Sequence, residues 1–396
     1  MTTSTHERDA INAGSCIAAT SIISAAGAAI FLILPILLGG AAEHLQLQEE
    51  QVGLIASSYF VGFLLVCLSA VFWIRRFDWQ YVSTTGFALL SGGLAGGAFV
   101  NQYEALLALM AISGVGAGIL FGLAVCVLSD TNDPDRYFGI KLLAEQIVGA
   151  ALLFLLPMYV TAQWGFPGLM LTVAAVLALL GTATVWLPKR GKRNVDASEN
   201  TKAEASAIWP VWVALFALMI YFAGLSGLWA FVERIATQQG IDAVTIGKAL
   251  SFGLLGGGLG AFAAALLGDR LGRLFPLVLS TGLLVAVIFI YSSAFDALLF
   301  AVSTFVLSGV WNYGLAYQMG IVVSLDQRGN LSVLISSFLS LGAIVGPALA
   351  GMLIGDQGYG SLFLFTAGAI LIGLIMFTLL LTKAGVALNT KKLSKA

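Results

Sequence analysis

Charge is scarce in this chain. Of its 396 residues only 10% are Asp, Glu, Lys or Arg against 59% hydrophobic, and the charges nearly cancel to −1. Soluble domains carry roughly 25% charged residues, so this chain has too few to make a water-facing surface. The near-neutral balance also lacks the basic footprint of a nucleic-acid binder and excludes nucleic acid as a main partner. Histidine is scarcer still: His6 stands in a polar N-terminal stretch and His44 between the first two apolar runs, which leaves no imidazole inside a bilayer. That removes histidine-ligated haem, histidine-built di-iron centres and an intramembrane Ser-His hydrolytic pair. Cys16, Cys67 and Cys126 are odd in number and far apart in apolar stretches, which suits lone buried thiols and not a disulfide framework or a metal site. No enzyme activity, cofactor or metal is expected.

Long apolar runs are what the chain has in abundance. Twelve are long enough to span, at approximately 14–40, 52–74, 81–100, 104–128, 137–160, 166–187, 208–232, 245–267, 275–293, 297–322, 331–354 and 361–382. The expected fold is therefore an all-α integral membrane protein of twelve transmembrane helices, with both termini on one side. The first run is too long for a signal-peptide core and follows His6, Glu7, Arg8 and Asp9 in place of a basic segment, so it reads as a retained helix. With both termini cytoplasmic, all of the 19 Lys and Arg residues except Arg234 and Lys248 fall in inner loops or at inner helix ends. This is a positive-inside pattern, and one missed helix would scramble it. The expected location is a bacterial inner membrane, as a monomer whose partners are the bilayer, a small-molecule substrate and, in a coupled carrier, protons.

Near the midpoint, Lys189-Arg190-Gly191-Lys192-Arg193 opens a polar stretch rich in Ser, Glu, Asn and Thr. It reads as a flexible cytoplasmic linker, 189–207, between six-helix units at 1–188 and 208–396. The halves echo each other. Ser129-Asp130 through Asp135-Arg136 after span 4 corresponds to Ser324, Asp326 and Arg328 after span 10, and Arg75-Arg76-Phe77-Asp78 after span 2 to Asp269-Arg270-Leu271-Gly272-Arg273 after span 8. Repeated helical units are how transporters place a central site between two bundles.

Gly268-Asp269-Arg270-Leu271-Gly272-Arg273 resembles the D-R-x-G-R loop motif of the major facilitator superfamily, and the resemblance covers essentially the whole chain. It implies two pseudo-symmetric six-helix bundles, alternating access and a gating role for Asp269, Arg270, Gly272 and Arg273, with Asp269 facing the start of span 5. Two departures stand within the motif: Ala265 replaces its opening glycine, and Trp73 holds the aspartate position of the first-half copy. Two more weigh against drug export. Met110 stands where exporters carry an arginine ahead of Gly114, and span 5 has Gly139, Gly149 and an isolated Pro157 in place of a glycine-proline signature.

Glu145 is the acidic residue well inside a span. It is either a proton-coupling site or half of an ion pair with Lys141 one turn below, or with Arg75 or Arg76. Gln146 points about 100° away from it. Span 10 carries the most polar midspan cluster, Trp311-Asn312-Tyr313 followed by Tyr317 and Gln318, and Tyr221 lies at similar depth in span 7. In the family, helices 1, 4, 7 and 10 line the cavity, which makes Tyr221, Trp311, Asn312, Tyr313, Gln318 and Gln146 candidate substrate contacts. Trp79, Tyr81, Trp164, Trp209 and Trp212 read as interfacial anchors. Trp229 and Glu233 read as either gate residues or belt and rim. Glycine stripes such as Gly114/Gly118/Gly122 and Gly256/Gly260 read as helix-packing surfaces, and Ser332/Ser336/Ser340 as a cavity stripe or as hydroxyls bonded back to their own helix. The chain is thus expected to carry a small organic solute, neutral, amphipathic or aromatic, as a proton-linked or facilitative importer. The alternatives are a proton-coupled exporter of lipophilic compounds and a non-transporting receptor or scaffold.

Overall fold

The computed structural model describes residues 11–189, 208–326, 331 and 334–393. The expected linker, Lys189 apart, lies outside them, as do Arg328 and Ser332. The described residues are helical with short turns, and each expected span is a helix. Helix α1 has two segments, Gly14–Leu32 and Leu34–Leu45. The others are α2 Glu49–Trp73, α3 Trp79–Gly97, α4 Tyr103–Ser129, α5 Pro134–Leu155, α6 Ala162–Leu180, α7 Trp209–Gln238, α8 Ala243–Leu267, α9 Leu274–Tyr291, α10 Ala297–Leu325, α11 Ile335–Gln357 and α12 Tyr359–Leu393. Among the described residues, ten stretches are long and apolar enough to cross a membrane; Arg136–Trp186 merges α5 and α6, and the more polar α3 is not among them.

Proline places the irregularities. Pro35 has no N–H for the carbonyl of Phe31, so α1 breaks at Ile33, where a cap backbone N–H bonds that carbonyl in place of the missing helical donor. Pro157 likewise opens the ladder into a π-helical turn, Leu156–Thr161, and Thr161 Oγ1 donates to the Leu156 carbonyl at 3.2 Å. The expected loop between spans 5 and 6 is consequently no loop. The chain turns at Gly165, whose φ of 57° and ψ of −153° suit glycine alone.

Helices α1–α6 pack on one another, as do α7–α12, and the main contacts between the two sets run along α2–α11, α5–α8 and α1–α7. The first two pairings are equivalent under exchange of the halves. Small residues let them approach: a Cβ at Gly53 of α2 would strike the Pro347 carbonyl of α11, and one at Gly351 the Glu49 carbonyl. Ser57 Oγ crosses to the Ile344 carbonyl at 2.6 Å, and Ser251 Oγ of α8 to the Ala150 carbonyl of α5 at 2.8 Å. Within the sets, Gly114 meets the Tyr59 backbone and Gly260 that of Gly309, whereas Gly122 has only ordinary contact. Ser340 Oγ bonds back to the Ser336 carbonyl at 2.8 Å.

Successive helices run up and down, so the molecule has a linker face, reached by Lys189 and Ile208, and an opposite face carrying the α1–α2, α7–α8 and α11–α12 turns. The cross-set contacts run from midspan towards the opposite face.

Candidate functional site

Where α1, α5, α7, α8 and α10 converge at midspan, they leave a cavity of about 90 Å³. Its aromatic wall is Phe31, Phe222, Trp229 and Trp311. Phe31 stacks on Phe222 with ring centroids 6.1 Å apart, and Trp311 stands edge-on to both, at 6.2 Å and 5.5 Å. Trp229 is held at the irregularity of α1, because its Nε1 donates to the Phe31 carbonyl at 3.0 Å. The polar lining is Gln146, Ser308 and Asn312, and none of the lining residues is charged. Asn312 Nδ2 donates to the Ser308 carbonyl at 2.9 Å. Gln146 Oε1 and Trp311 Nε1 are buried without a hydrogen-bond partner. Buried polar atoms are normally paired, so an acceptor and a donor stand unused on side chains that line one cavity.

Of the six candidate substrate contacts, the structure brings together Gln146, Trp311 and Asn312. Tyr221 is fully buried away from the cavity, packed against Gly373 of α12 and Gly314 of α10. Tyr313 pairs edge-on with Tyr317 at 5.1 Å in a separate apolar cluster nearer the linker face, and Tyr317 OH donates to the Gly268 carbonyl. Gln318 is buried off the cavity, with Oε1 unpartnered. Sequence reasoning missed Phe31, Phe222 and Ser308, since a midspan Phe carries no signal that separates a cavity wall from a lipid-facing surface.

Glu145 lies one residue from Gln146 but turns into its own helix set. Its Oε1 accepts from Lys141 Nζ at 2.6 Å and from Ser24 Oγ of α1 at 2.6 Å, and Lys141 Nζ also sits 4.2 Å over the Phe121 ring of α4. Both charged side chains are under a tenth exposed. The arrangement ties α1, α4 and α5 together. Of the other cations weighed for Glu145, Arg75 makes a bidentate pair with Asp130 at 2.9 and 2.8 Å.

Comparison with known proteins places this architecture. The sequence pattern of the Major Facilitator Superfamily matches residues 17–327 and, in a second register, 214–395. The chain belongs to the major facilitator superfamily. An uncharacterized MFS-type transporter of Enterobacter sp. (strain 638) is 24% identical over 361 residues, covering 86% of this chain and 89% of that protein. Among solved structures, a point mutant of the nucleoside transporter NupG is similar with a TM-score of 0.73 at 14% identity, over 92% of this chain and 99% of that one. A bacterial homolog of the human lysosomal transporter Spinster, in an inward-facing and unoccupied conformation, has a TM-score of 0.65 at 13% identity, over 92% and 94%. At such identities the two structures establish the shared fold. The protein is a multi-pass bacterial membrane protein of a transporter family.

The superfamily's loop motif is built as a staple. Gly268 and Gly272 take φ values of 47° and 66°, open to glycine without strain. Arg273 then reaches across to the Ser324 hydroxyl and, at 3.4 Å, the Gly320 carbonyl near the end of α10. Arg75 and Asp130 repeat this link in the first half, from the α2–α3 turn to the end of α4, and the Asp130 hydrogen bonds hold the Arg75 guanidinium above its ordinary pKa. Arg270 is exposed, and the Asp269 side chain lies outside the described ones. The superfamily's cavity helices α1, α7 and α10 contribute here, but α4 supplies no lining residue and α5 and α8 do.

One expectation for an aromatic residue changes. Trp79 is no interfacial anchor: it is fully buried and donates from Nε1 to the Ile74 carbonyl at 3.0 Å, whereas Tyr81 and Trp164 are largely exposed. At the opposite face stands a cluster that the sequence did not reveal. Arg234 of α7 donates through Nε and Nη2 to Glu49 Oε1 of α2 at 3.0 and 2.6 Å, and Tyr359 OH of α12 reaches the same oxygen at 3.2 Å. Its one available signal was Arg234 itself, a departure from the positive-inside pattern.

Proposed function

We propose that this chain is a secondary carrier that moves a small, uncharged organic solute with an aromatic or amphipathic body across the bacterial inner membrane by alternating access. One observation carries the reading: a cavity at the junction of two six-helix sets, walled by aromatic rings and furnished with unpaired neutral hydrogen-bonding groups and no charge. A strongly anionic or cationic solute has no counter-charge there. The positive-inside distribution puts the linker face in the cytoplasm, and the bundles meet from midspan outwards, which supports reading this conformation as closed on the outside and inward-facing. Rocking of residues 1–188 against 208–396 about the α2–α11 and α5–α8 contacts, joined by the 189–207 linker, is the proposed transport movement. A nucleoside, the solute named for the transporter NupG, is compatible with such a lining, since it is neutral, carries a flat base and is rich in donors and acceptors.

Import is the proposed direction, because the helix 4 and helix 5 features of exporters are absent. The pairing of Glu145 with Lys141 and Ser24 favours the ion-pair reading of that acid over a proton-coupling one. Counterflow in proteoliposomes over a panel of neutral aromatic and heterocyclic solutes tests the proposal: saturable exchange, abolished by Trp311→Ala, is expected. Absence of saturable exchange across the panel would favour a non-transporting receptor. Proton-driven accumulation in inside-out vesicles only would favour export.

A further inference from the structure

Glu233 of α7 is 9% exposed, yet neither the cavity nor the Arg234–Glu49 pair uses it. Its carboxylate is pressed onto the α1 backbone at Gly39, where any Cβ would collide with it. Its polar contact is the Thr237 hydroxyl, 2.9 Å from Oε1, and that same hydroxyl lies 3.0 Å from the Glu233 carbonyl oxygen, so one proton serves two acceptors. The charges that act on it are Glu43 of α1, Glu49 of α2 and its neighbour Arg234. Arg234 is committed to Glu49, which Tyr359 of α12 also contacts. His44, next to Glu43, faces Phe166 of α6 instead. Among the described residues, three carboxylates therefore stand near one guanidinium that is paired with Glu49, and Glu233 has no cation of its own.

The cover over this carboxylate comes from the other helix set. Gly39 belongs to α1 and Glu233 to α7, so the burial exists only while the outer side is shut. When the sets part, water reaches the carboxylate and solvates its charge; when they close, that water is lost and only a shared hydroxyl replaces it.

We propose that Glu233 is a proton-binding site of the outer gate, with the outer side closing over the neutral acid. The proton comes from external water onto a carboxylate oxygen as the gate shuts and returns there as it opens, so no other reactant is needed. The inference rests on the carrier reading for its topology, since it requires the α7–α8 turn to face outside. The sign is fixed by the geometry: acid favours closure, and alkali favours opening.

Paired spin labels at Asn101→Cys and Ser293→Cys, on exposed outer loops of the two sets, report the gate, with Cys16, Cys67 and Cys126 replaced by Ala. In lipid nanodiscs the wild-type background is expected to show the short-distance population in mildly acidic buffer and a growing long-distance population in mildly alkaline buffer. Glu233→Gln should hold the short distance in both. Thr237→Val, which removes the hydroxyl that favours the charged form, should shift the midpoint towards alkaline pH and covers the case in which the first variant does not fold. A wild-type pH response in Glu233→Gln, an unmoved midpoint in Thr237→Val, a pH-independent background or opening in acid would each overturn the proposal. The readout needs no solute, so a chain with this pH response and no saturable counterflow would retain the proton site while losing the carrier reading.

Discussion

At the scale of single residues, Lys141 and Glu145 show how a charge is kept inside a bilayer. Each is buried and each is the other's counter-charge, with Ser24 and the Phe121 ring completing the shell. Removing one partner strands the other, at a typical cost of about 3–5 kcal/mol, whereas replacing both with apolar groups is often neutral. Glu145→Gln and Lys141→Met are therefore each expected to lower thermal stability in detergent sharply, and Lys141→Met with Glu145→Leu to recover most of it. A double variant that keeps stability and accumulation supports an ion-pair role; one that keeps stability but loses proton-driven accumulation returns Glu145 to coupling. In the cavity, Trp311→Phe keeps a ring and deletes only the indole N–H. One neutral hydrogen bond is worth about 0.5–1.5 kcal/mol, so solute affinity should fall roughly twofold to tenfold, measured by concentration dependence of counterflow, with thermal stability unchanged.

At the scale of elements, two prolines do more than interrupt helices. Pro35 denies the Phe31 carbonyl its helical donor, and Trp229 of the other half bonds it alongside a cap N–H, so an irregularity in α1 becomes a contact between bundles beside the cavity. The α2–α11 seam depends instead on the absence of side chains. Gly53→Val places its first carbon onto the Pro347 carbonyl, which the backbone cannot relieve without parting the helices. This variant is expected to deplete the outer-closed state, seen as a gain in the long-distance population between outer-loop labels at Asn101 and Ser293, with Gly53→Ala intermediate.

At the scale of the whole molecule, the proposed closure of the outer side depends on a polar cluster among the described residues. Glu49, Arg234 and Tyr359 join α2, α7 and α12 at one carboxylate oxygen. Glu49→Gln or Arg234→Gln should open the outer side and slow uptake, and the exchange Glu49→Arg with Arg234→Glu should restore part of the closed population, read by the same label distances. Loss of closure without rescue by the exchange would mean that packing, not the ion pair, holds the gate.

The twelve spans, their alternation and the halving of the chain follow from composition and charge placement, because a bilayer forces every apolar run of some twenty residues into a helix. For Glu145 the sequence left proton coupling and an ion pair with Lys141, Arg75 or Arg76 as alternatives, and which cation stands beside it is a matter of packing. Which polar and aromatic side chains meet was decided by tertiary structure alone. Gln146, Trp311 and Asn312 converge while Tyr221, Tyr313 and Gln318 turn into their own bundle, a choice set by helix rotation that a helix apolar on all sides does not encode. The same holds for Glu233, which sits at a helix end where sequence allows a solvated rim, and which the packing of α1 against α7 buries instead.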